Sequence, residues 1–221
     1  MLVEGLSDRI FFEAVLDHHG RSSSSTSIIE VISVGGKGFF RAYEKVLIAC
    51  KIKYSIIADL DYVEEIGTPD IKALFKTNTQ EIKKDIVENP KSIDGDTIVW
   101  AIEQALRDGN WNNAKEIWNY IKKRRKQLKE IISSDENYVL KTFLDAKKAD
   151  RVFILSLGTL ESYLPAGCRS KDLDKLIRLI SRNDFWEQLP SNGRGELEFI
   201  AYSLLPSLHL GNIERSSDIN S

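Results

Sequence analysis

The amino-acid sequence predicts an α/β fold in which a parallel sheet of about four strands is flanked by helices. The first observation is that short runs of β-branched and aliphatic residues alternate with helical patterns in residues 1–64. The second is that a further apolar run begins near residue 150. Strands that alternate with helices are typical of a parallel sheet, because the helices form the crossover connections.

The predicted strands are short and apolar, as expected for strands buried on both faces. They cover residues 2–3, 28–34, 54–58 and 151–157. A strand usually has about five or six residues, so the first one is unusually short. We therefore expect the chain to begin inside a longer natural protein.

Helical patterns follow these strands. Ser7 is a good N-cap, and the apolar stripe behind it predicts a first helix over residues 7–19. A second helix is predicted after the glycine-rich turn at residues 35–38. Two more are predicted near residues 171–182 and 194–204.

Residues 65–149 lack strand patterning and predict a large all-helical insertion in the sheet domain. The predicted domains are therefore the first sheet part at residues 1–64, the insertion at residues 65–149, and the second sheet part with C-terminal helices at residues 150–221. The insertion ends in a long amphipathic segment at residues 111–146, through which we expect a homodimer to form. The basic run at residues 122–126 has two interpretations, a solvated helix face or a DNA contact, and a solvated face is favoured.

The composition excludes several classes of protein. The chain has 221 residues, 42% of them hydrophobic, and a net charge of −2, which is ordinary for a globular protein and does not indicate a strongly basic DNA binder. The two cysteines have no metal-ligand spacing to each other or to the three histidines, and so few cysteines fit the reducing cytoplasm. No apolar run approaches the 18–20 residues of a membrane span and no signal peptide is visible, so we expect a cytoplasmic protein that is not in the membrane.

Acidic residues are found where the predicted strands end. The set is Glu4, Asp8, Asp59, Asp61 and Glu161. Asp59 and Asp61 lie two residues apart, so on an extended segment their side chains would point to the same side. The carboxyl ends of parallel strands share one edge of the sheet, so all five acids are expected to converge there.

Converging carboxylates repel one another unless a cation lies between them. Hard divalent ions such as Mg²⁺ prefer oxygen ligands, so the set predicts a metal site. Each acid also has a simpler interpretation when taken alone. Asp8 and Glu161 are placed to stabilise helix N-termini, and Glu4 is placed as a loop acid.

Three motifs together resemble a Toprim domain. They are Val3-Glu4-Gly5-Leu6-Ser7-Asp8, then Gly35-Gly36-Lys37-Gly38, then Ala58-Asp59-Leu60-Asp61. The Toprim fold is shared by type IA and type II topoisomerases, bacterial primases and the OLD (overcoming lysogenization defect) family nucleases. The segment Leu155-Ser156-Leu157-Gly158-Thr159-Leu160-Glu161-Ser162-Tyr163-Leu164, after a helical insertion, resembles the OLD branch in particular. The element that indicates this branch is Leu-Glu-x-Tyr-Leu at its end.

The resemblance implies a metal-dependent DNA endonuclease of an anti-phage defence type. The five acids would bind two Mg²⁺ or Mn²⁺ ions for phosphodiester hydrolysis, and Glu4 is also a candidate general base. Lys37 and Arg194 are the candidates for the basic residue that stabilises charge on the phosphate. In that family an ATPase domain usually precedes the Toprim domain, but this sequence lacks the G-x-x-x-x-G-K-[ST] motif. We therefore expect an ATPase domain or subunit outside this chain.

Two other functions remain open at the level of sequence. Asp59-Leu60-Asp61-Tyr62-Val63 also matches the signature of haloacid-dehalogenase-like phosphatases, in which Asp59 would be the nucleophile and Asp61 the acid. That assignment leaves Glu4 and Glu161 unexplained. The second alternative is a non-catalytic scaffold that keeps the sheet and uses the helical insertion for protein contacts.

Overall fold

The computed structural model describes residues 1–21, 28–89, 91–168 and 172–205. The chain divides into two compact units. The sheet unit comprises Met1–Asp59 with Leu144–Ser221, and the inserted unit comprises Leu60–Phe143. The boundaries between the two units fall after Asp59 and after Phe143. Both lie a few residues before the predicted domain boundaries at residues 64 and 149.

Strands and helices are labelled in chain order. The strands are β1 (Leu2–Val3), β2 (Ile32–Ser33), β3 (Ile56–Ala58), β4 (Phe75–Thr77), β5 (Lys126–Leu128) and β6 (Val152–Ile154). The α-helices are α1 (Leu6–His18), α2 (Phe40–Ala49), α3 (Val63–Ile66), α4 (Pro69–Lys72), α5 (Thr79–Ile82), α6 (Ile93–Asp108), α7 (Asn112–Arg124), α8 (Ser134–Ala149), α9 (Leu173–Ile180), α10 (Phe185–Gln188) and α11 (Ser191–Leu204). Short 3-10 helices cover Lys37–Phe39, Leu60–Tyr62 and Leu160–Tyr163, and a π-helix covers Lys83–Val87.

The sheet unit contains a four-stranded parallel sheet in the order β2-β1-β3-β6. This architecture confirms the predicted α/β class and the number of strands. The sheet is short in the strand direction, and its register aligns Leu2 with both Ile32 and Ile56, and Ile56 with Val152. The carboxyl ends of all four strands therefore lie along one edge.

Helix α1 provides much of the core of the sheet unit. Phe11, Phe12, Val15 and Leu16 are almost completely buried and pack in one cluster with strand residues such as Val3. The same helix contacts α9 and α11. Burial of large apolar side chains is the main stabilising contribution to such a core, at about 1.5–3 kcal/mol each. The packing of this apolar face fixes α1, and therefore also Asp8, relative to the sheet.

The inserted unit is mainly helical, but the expectation that it is all-helical is wrong in one place. Strands β4 and β5 form an antiparallel ribbon, with Phe75 opposite Leu128 and Thr77 opposite Lys126. The ribbon pairs within itself and forms a sheet separate from the main one. Each strand has only three residues, which is too short for hydrophobic alternation to distinguish it from helix.

The long helix predicted at residues 111–146 is also interrupted. Helix α7 ends at Arg124, and Arg125 adopts a non-helical conformation with φ −120° and ψ 79°. The carbonyl of Arg125 accepts a hydrogen bond from Asn78 N at 2.9 Å, at the end of the ribbon. Pairing with a distant segment therefore ends the helix, although the local pattern would allow it to continue. Within the part of the chain that the structure describes, every helix is too short or too polar to cross a membrane.

Candidate functional site

Backbone hydrogen bonds connect Glu4 to the glycine turn after β2. Its carbonyl accepts hydrogen bonds from Gly35 N and Gly36 N, both at 2.9 Å. Gly35 and Gly36 have φ angles of 85° and 124°, which L residues with a Cβ rarely adopt. The glycines therefore allow this turn to close against the end of β1. Lys37 begins the 3-10 helix that follows and is partly buried.

Asp8 is a buried residue at the start of α1, and it also has a structural role. Its Oδ2 accepts a hydrogen bond from Gly5 N at 2.9 Å, which caps the helix. A Cβ at Gly5 would lie 3.1 Å from that oxygen, so the approach is tight. Asp8 thus caps the helix in the structure, as its simpler interpretation expects. Its role as a metal ligand stays a prediction.

Asp59 connects β3 to the turn that carries Glu161. The Asp59 side chain is buried, and its Oδ1 accepts a hydrogen bond from Leu160 N at 3.1 Å. Leu160 begins the 3-10 helix in which Glu161 occupies the first turn. A single carboxylate therefore holds together two of the chain segments on which the sequence placed candidate ligands.

Asp61 is not positioned as the alternation argument expected. Strand β3 ends at Ala58, and Asp61 lies in the 3-10 helix Leu60–Tyr62, where side chains do not alternate with a period of two. Asp61 is partly buried and belongs to the inserted unit. The extended geometry assumed for Asp59 and Asp61 is therefore wrong, because the strand stops one residue before Asp59.

Glu161 and Arg194 lie on two segments that contact each other in the sheet unit. Glu161 is partly buried in its 3-10 helix, and Arg194 is partly buried in α11. Helix α11 contacts the 3-10 helix directly. A Cβ at Gly193 would lie only 2.6 Å from Tyr163 Cδ1, so glycine at this position is required for the observed approach.

Sequence reasoning missed the polar network that fixes this contact. The Tyr163 hydroxyl donates to Glu196 Oε2 and accepts from Leu157 N at 3.0 Å. Glu196 also accepts from Ser156 N at 3.0 Å and from the Ser156 hydroxyl at 2.7 Å. Burial is the main cause that raises the pKa of Tyr163 far above its usual range, and the charge of Glu196 is the second. The Tyr163 hydroxyl therefore remains a protonated donor.

Ser156, Leu157 and Tyr163 of this network lie in the segment 155–164, whose sequence resembles the OLD branch. Glu196 lies 33 residues beyond Tyr163, in a polar segment with no motif. Its partners could not be identified without the tertiary structure. The network fixes the loop after β6 and the following turn to α11.

The predicted ligands do not form a completed metal site in the structure. Across the described ranges, no three His, Cys, Asp or Glu side chains are grouped so that they could hold one metal ion. The donor chemistry nevertheless fits a hard divalent ion, because every predicted ligand offers carboxylate oxygens. Glu4, Asp8, Asp59 and Glu161 lie on segments at the carboxyl edge of the sheet, and their assignment as ligands stays a prediction.

Comparison with known families places the first part of the chain among Toprim domains. Residues 1–61 match the family model described as "Overcoming lysogenization defect protein-like, TOPRIM domain". This match confirms the resemblance that the motifs of the segment indicated. No curated protein and no solved structure gave a significant match to the chain.

The match contains Glu4, Asp8, Lys37, Asp59 and Asp61, whereas Glu161 and Arg194 lie outside it. It indicates, in a broad sense, a nuclease-type activity of the kind that depends on divalent metal. The particular reaction, the partners and the roles of single residues are proposals.

Proposed function

We propose that this chain is the nuclease part of a Mg²⁺- or Mn²⁺-dependent DNA endonuclease that hydrolyses phosphodiester bonds. The observation that carries the proposal is the junction around Asp59. Glu4 and Asp59 directly follow the adjacent parallel strands β1 and β3, and Asp59 binds the backbone of the turn that carries Glu161. The OLD-like Toprim match over residues 1–61 supports the same activity.

In this proposal the acids of the sheet unit, Glu4, Asp8, Asp59 and Glu161, would hold two divalent ions. Asp61 is a further ligand predicted from the sequence. When bound, such ions lower the pKa of an attacking water and neutralise charge on the phosphate. The hydrogen bond from Leu160 N fixes the orientation of the Asp59 carboxylate, so this ligand is positioned before any substrate arrives.

The remaining roles concern a proton and the phosphate charge. Glu4, partly buried at the end of β1, would accept the proton of the attacking water. Lys37 or Arg194 would stabilise the negative charge that develops on the phosphate oxygens. Lys37 follows the glycine turn bonded to Glu4, and Arg194 lies on the helix that contacts the Glu161 turn.

The test is nicking or linearisation of supercoiled plasmid by purified protein in Mg²⁺, Mn²⁺ or EDTA. Activity with either metal and none in EDTA supports the proposal. Phosphatase activity on p-nitrophenyl phosphate without plasmid cleavage would favour the haloacid-dehalogenase-like alternative. No metal binding by calorimetry, together with no cleavage, would favour the scaffold.

The proposed partners are DNA, an ATPase domain or subunit outside this chain, and a second copy of the chain, all in the cytoplasm. Helix α6 in the inserted unit carries exposed Val99, Ile102 and Leu106 at i, i+3 and i+7, a spacing typical of paired helices. Light scattering of wild type and of Leu106→Glu tests the homodimer. A dimer that becomes a monomer in the variant supports it, and a wild-type monomer contradicts it.

A further inference from the structure

A shallow groove in the sheet unit lies outside the residues assigned above. Its volume is about 290 Å³. Cations line it at Lys175, Arg178 and Arg182, beside the apolar atoms of Pro165 and Leu179. Cationic and apolar side chains therefore line the same groove.

The three cations follow one side of α9 and the turn after it. Lys175 and Arg178 are three residues apart in α9 and lie on the same helix face, about 4.5 Å apart along the helix axis. Arg182 extends the row beyond the end of the helix. A row of this kind suits a linear polyanion better than a single small anion.

The three cations differ in how strongly acids neutralise them. Lys175 Nζ lies 3.8 Å from Asp172, in an exposed pair of little strength. Arg182 donates two hydrogen bonds to Asp184, at 2.9 and 3.0 Å, and Gln188 donates to the same carboxylate. Arg178 makes no salt bridge or hydrogen bond among the residues that the structure describes. Arg178 is therefore the cation most available to a ligand.

The groove and the candidate site are close to each other along the chain. Pro165, which lines the groove, follows Glu161 by four residues and Tyr163 by two. Tyr163 is fully buried and fixed to Glu196, so the segment between Glu161 and the groove is anchored. Because four residues span at most about 14 Å, Pro165 lies within that distance of Glu161, close enough for one DNA molecule to reach both.

We propose that this groove binds the phosphodiester backbone of duplex DNA beside the candidate site. The inference rests on the proposed function, because that function supplies the DNA. Arg and Lys contacts to phosphate dominate the affinity of proteins for DNA, and each neutralised phosphate steepens the salt dependence. Arg178 suits this role because a guanidinium can bind two phosphate oxygens at once.

The experiment measures DNA binding without cleavage. Fluorescence anisotropy of a labelled 20-base-pair duplex is recorded in EDTA from 50 to 200 mM NaCl, and log K is plotted against log[NaCl]. Wild type is compared with Arg178→Gln and with the double variant Lys175→Gln/Arg178→Gln. The matched control is Lys84→Gln/Lys91→Gln, which removes the same charge from exposed positions of the inserted unit.

The slope should become shallower by about 0.9 in Arg178→Gln and by about 1.8 in the double variant. The control should keep the wild-type slope. An unchanged slope in both groove variants, an equal change in the control, or a wild type that does not bind the duplex would each overturn the proposal. The substituted side chains are exposed, and circular dichroism melts check that the fold is kept.

Plasmid nicking by the wild type is measured separately. Nicking without a change in slope contradicts the groove and leaves the proposed nuclease intact. A changed slope without any nicking contradicts the nuclease and leaves the groove as a DNA-binding surface.

Discussion

The two units of the chain use their buried polar groups differently. In the sheet unit, Asp59 and Glu196 bind backbone and hydroxyl groups of the loop after β6, where the candidate ligand Glu161 lies. In the inserted unit, Arg125, whose side chain is only 12% exposed, binds Asp94 at 2.8 Å and approaches Asp85 at 3.6 Å, which joins the unit's own helices. Substitutions in the first set should therefore affect activity, and those in the second should affect stability.

The largest effect is expected from Asp59→Asn. The amide keeps the shape of the side chain but removes the charge that would hold a metal, so cleavage of plasmid should fall by at least about 100-fold. The matched control is Asp70→Asn, an exposed acid in α4, which should cleave at the wild-type rate. Equal rates for wild type and Asp59→Asn in both metals would disprove this role of Asp59.

Melting curves give a second measurement on the same pair of variants. Mg²⁺ should raise the melting temperature of wild type and of Asp70→Asn by mass action, and should raise that of Asp59→Asn less. A purely structural role for Asp59 predicts the opposite pattern, with stability lost equally in Mg²⁺ and in EDTA.

Arg125→Gln should show most clearly that the polar groups of the inserted unit contribute to stability. Loss of this largely buried cation leaves Asp94 and Asp85 without their shared partner, which should cost about 2 kcal/mol in the free energy of unfolding. Urea unfolding measures this cost, with the exposed Arg107→Gln as control. An Arg125 variant as stable as the control would show that the pair contributes nothing.

Glu196→Gln should have an intermediate effect on activity. Glu196 touches no predicted ligand but fixes Ser156 and Tyr163 on either side of the turn that carries Glu161. Its replacement should raise the Mg²⁺ concentration needed for half-maximal cleavage by about 10-fold, while DNA binding in EDTA is unchanged. Glu198→Gln, on an exposed position of the same helix, is the control. A fall in maximal rate at every Mg²⁺ concentration, with no shift in the midpoint, would contradict the positioning role.

The smallest effect is expected from the basic run at residues 122–126. Lys122 lies over the Trp118 ring, Lys123 lies 3.9 Å from Glu65, and Arg124 lies over the Tyr120 ring. These cations already have neighbours within the inserted unit, so Lys122→Gln/Lys123→Gln should leave the salt slope of DNA binding unchanged. A slope that became shallower by one unit or more would indicate that the inserted unit contacts DNA.

The class of the fold and the OLD-like Toprim resemblance could be predicted from the sequence because they depend on local patterns. Apolar runs define the buried strands β1 and β3, and acids directly after them fall at the carboxyl edge of any parallel sheet. Both the alternation of strands with helices and the short motifs can be recognised from residues that are neighbours in the sequence. The match over residues 1–61 covers the part in which all three short motifs lie.

Only the tertiary structure decided the features that join distant segments. The ribbon of β4 and β5 brings together residues about 50 apart, and it ends α7 where the helical pattern alone would continue. Glu196 meets Tyr163 across 33 residues, and Asp59 meets Leu160 across 101. Such contacts depend on the closure of long loops and on packing between elements, which leave no period or motif in the local sequence.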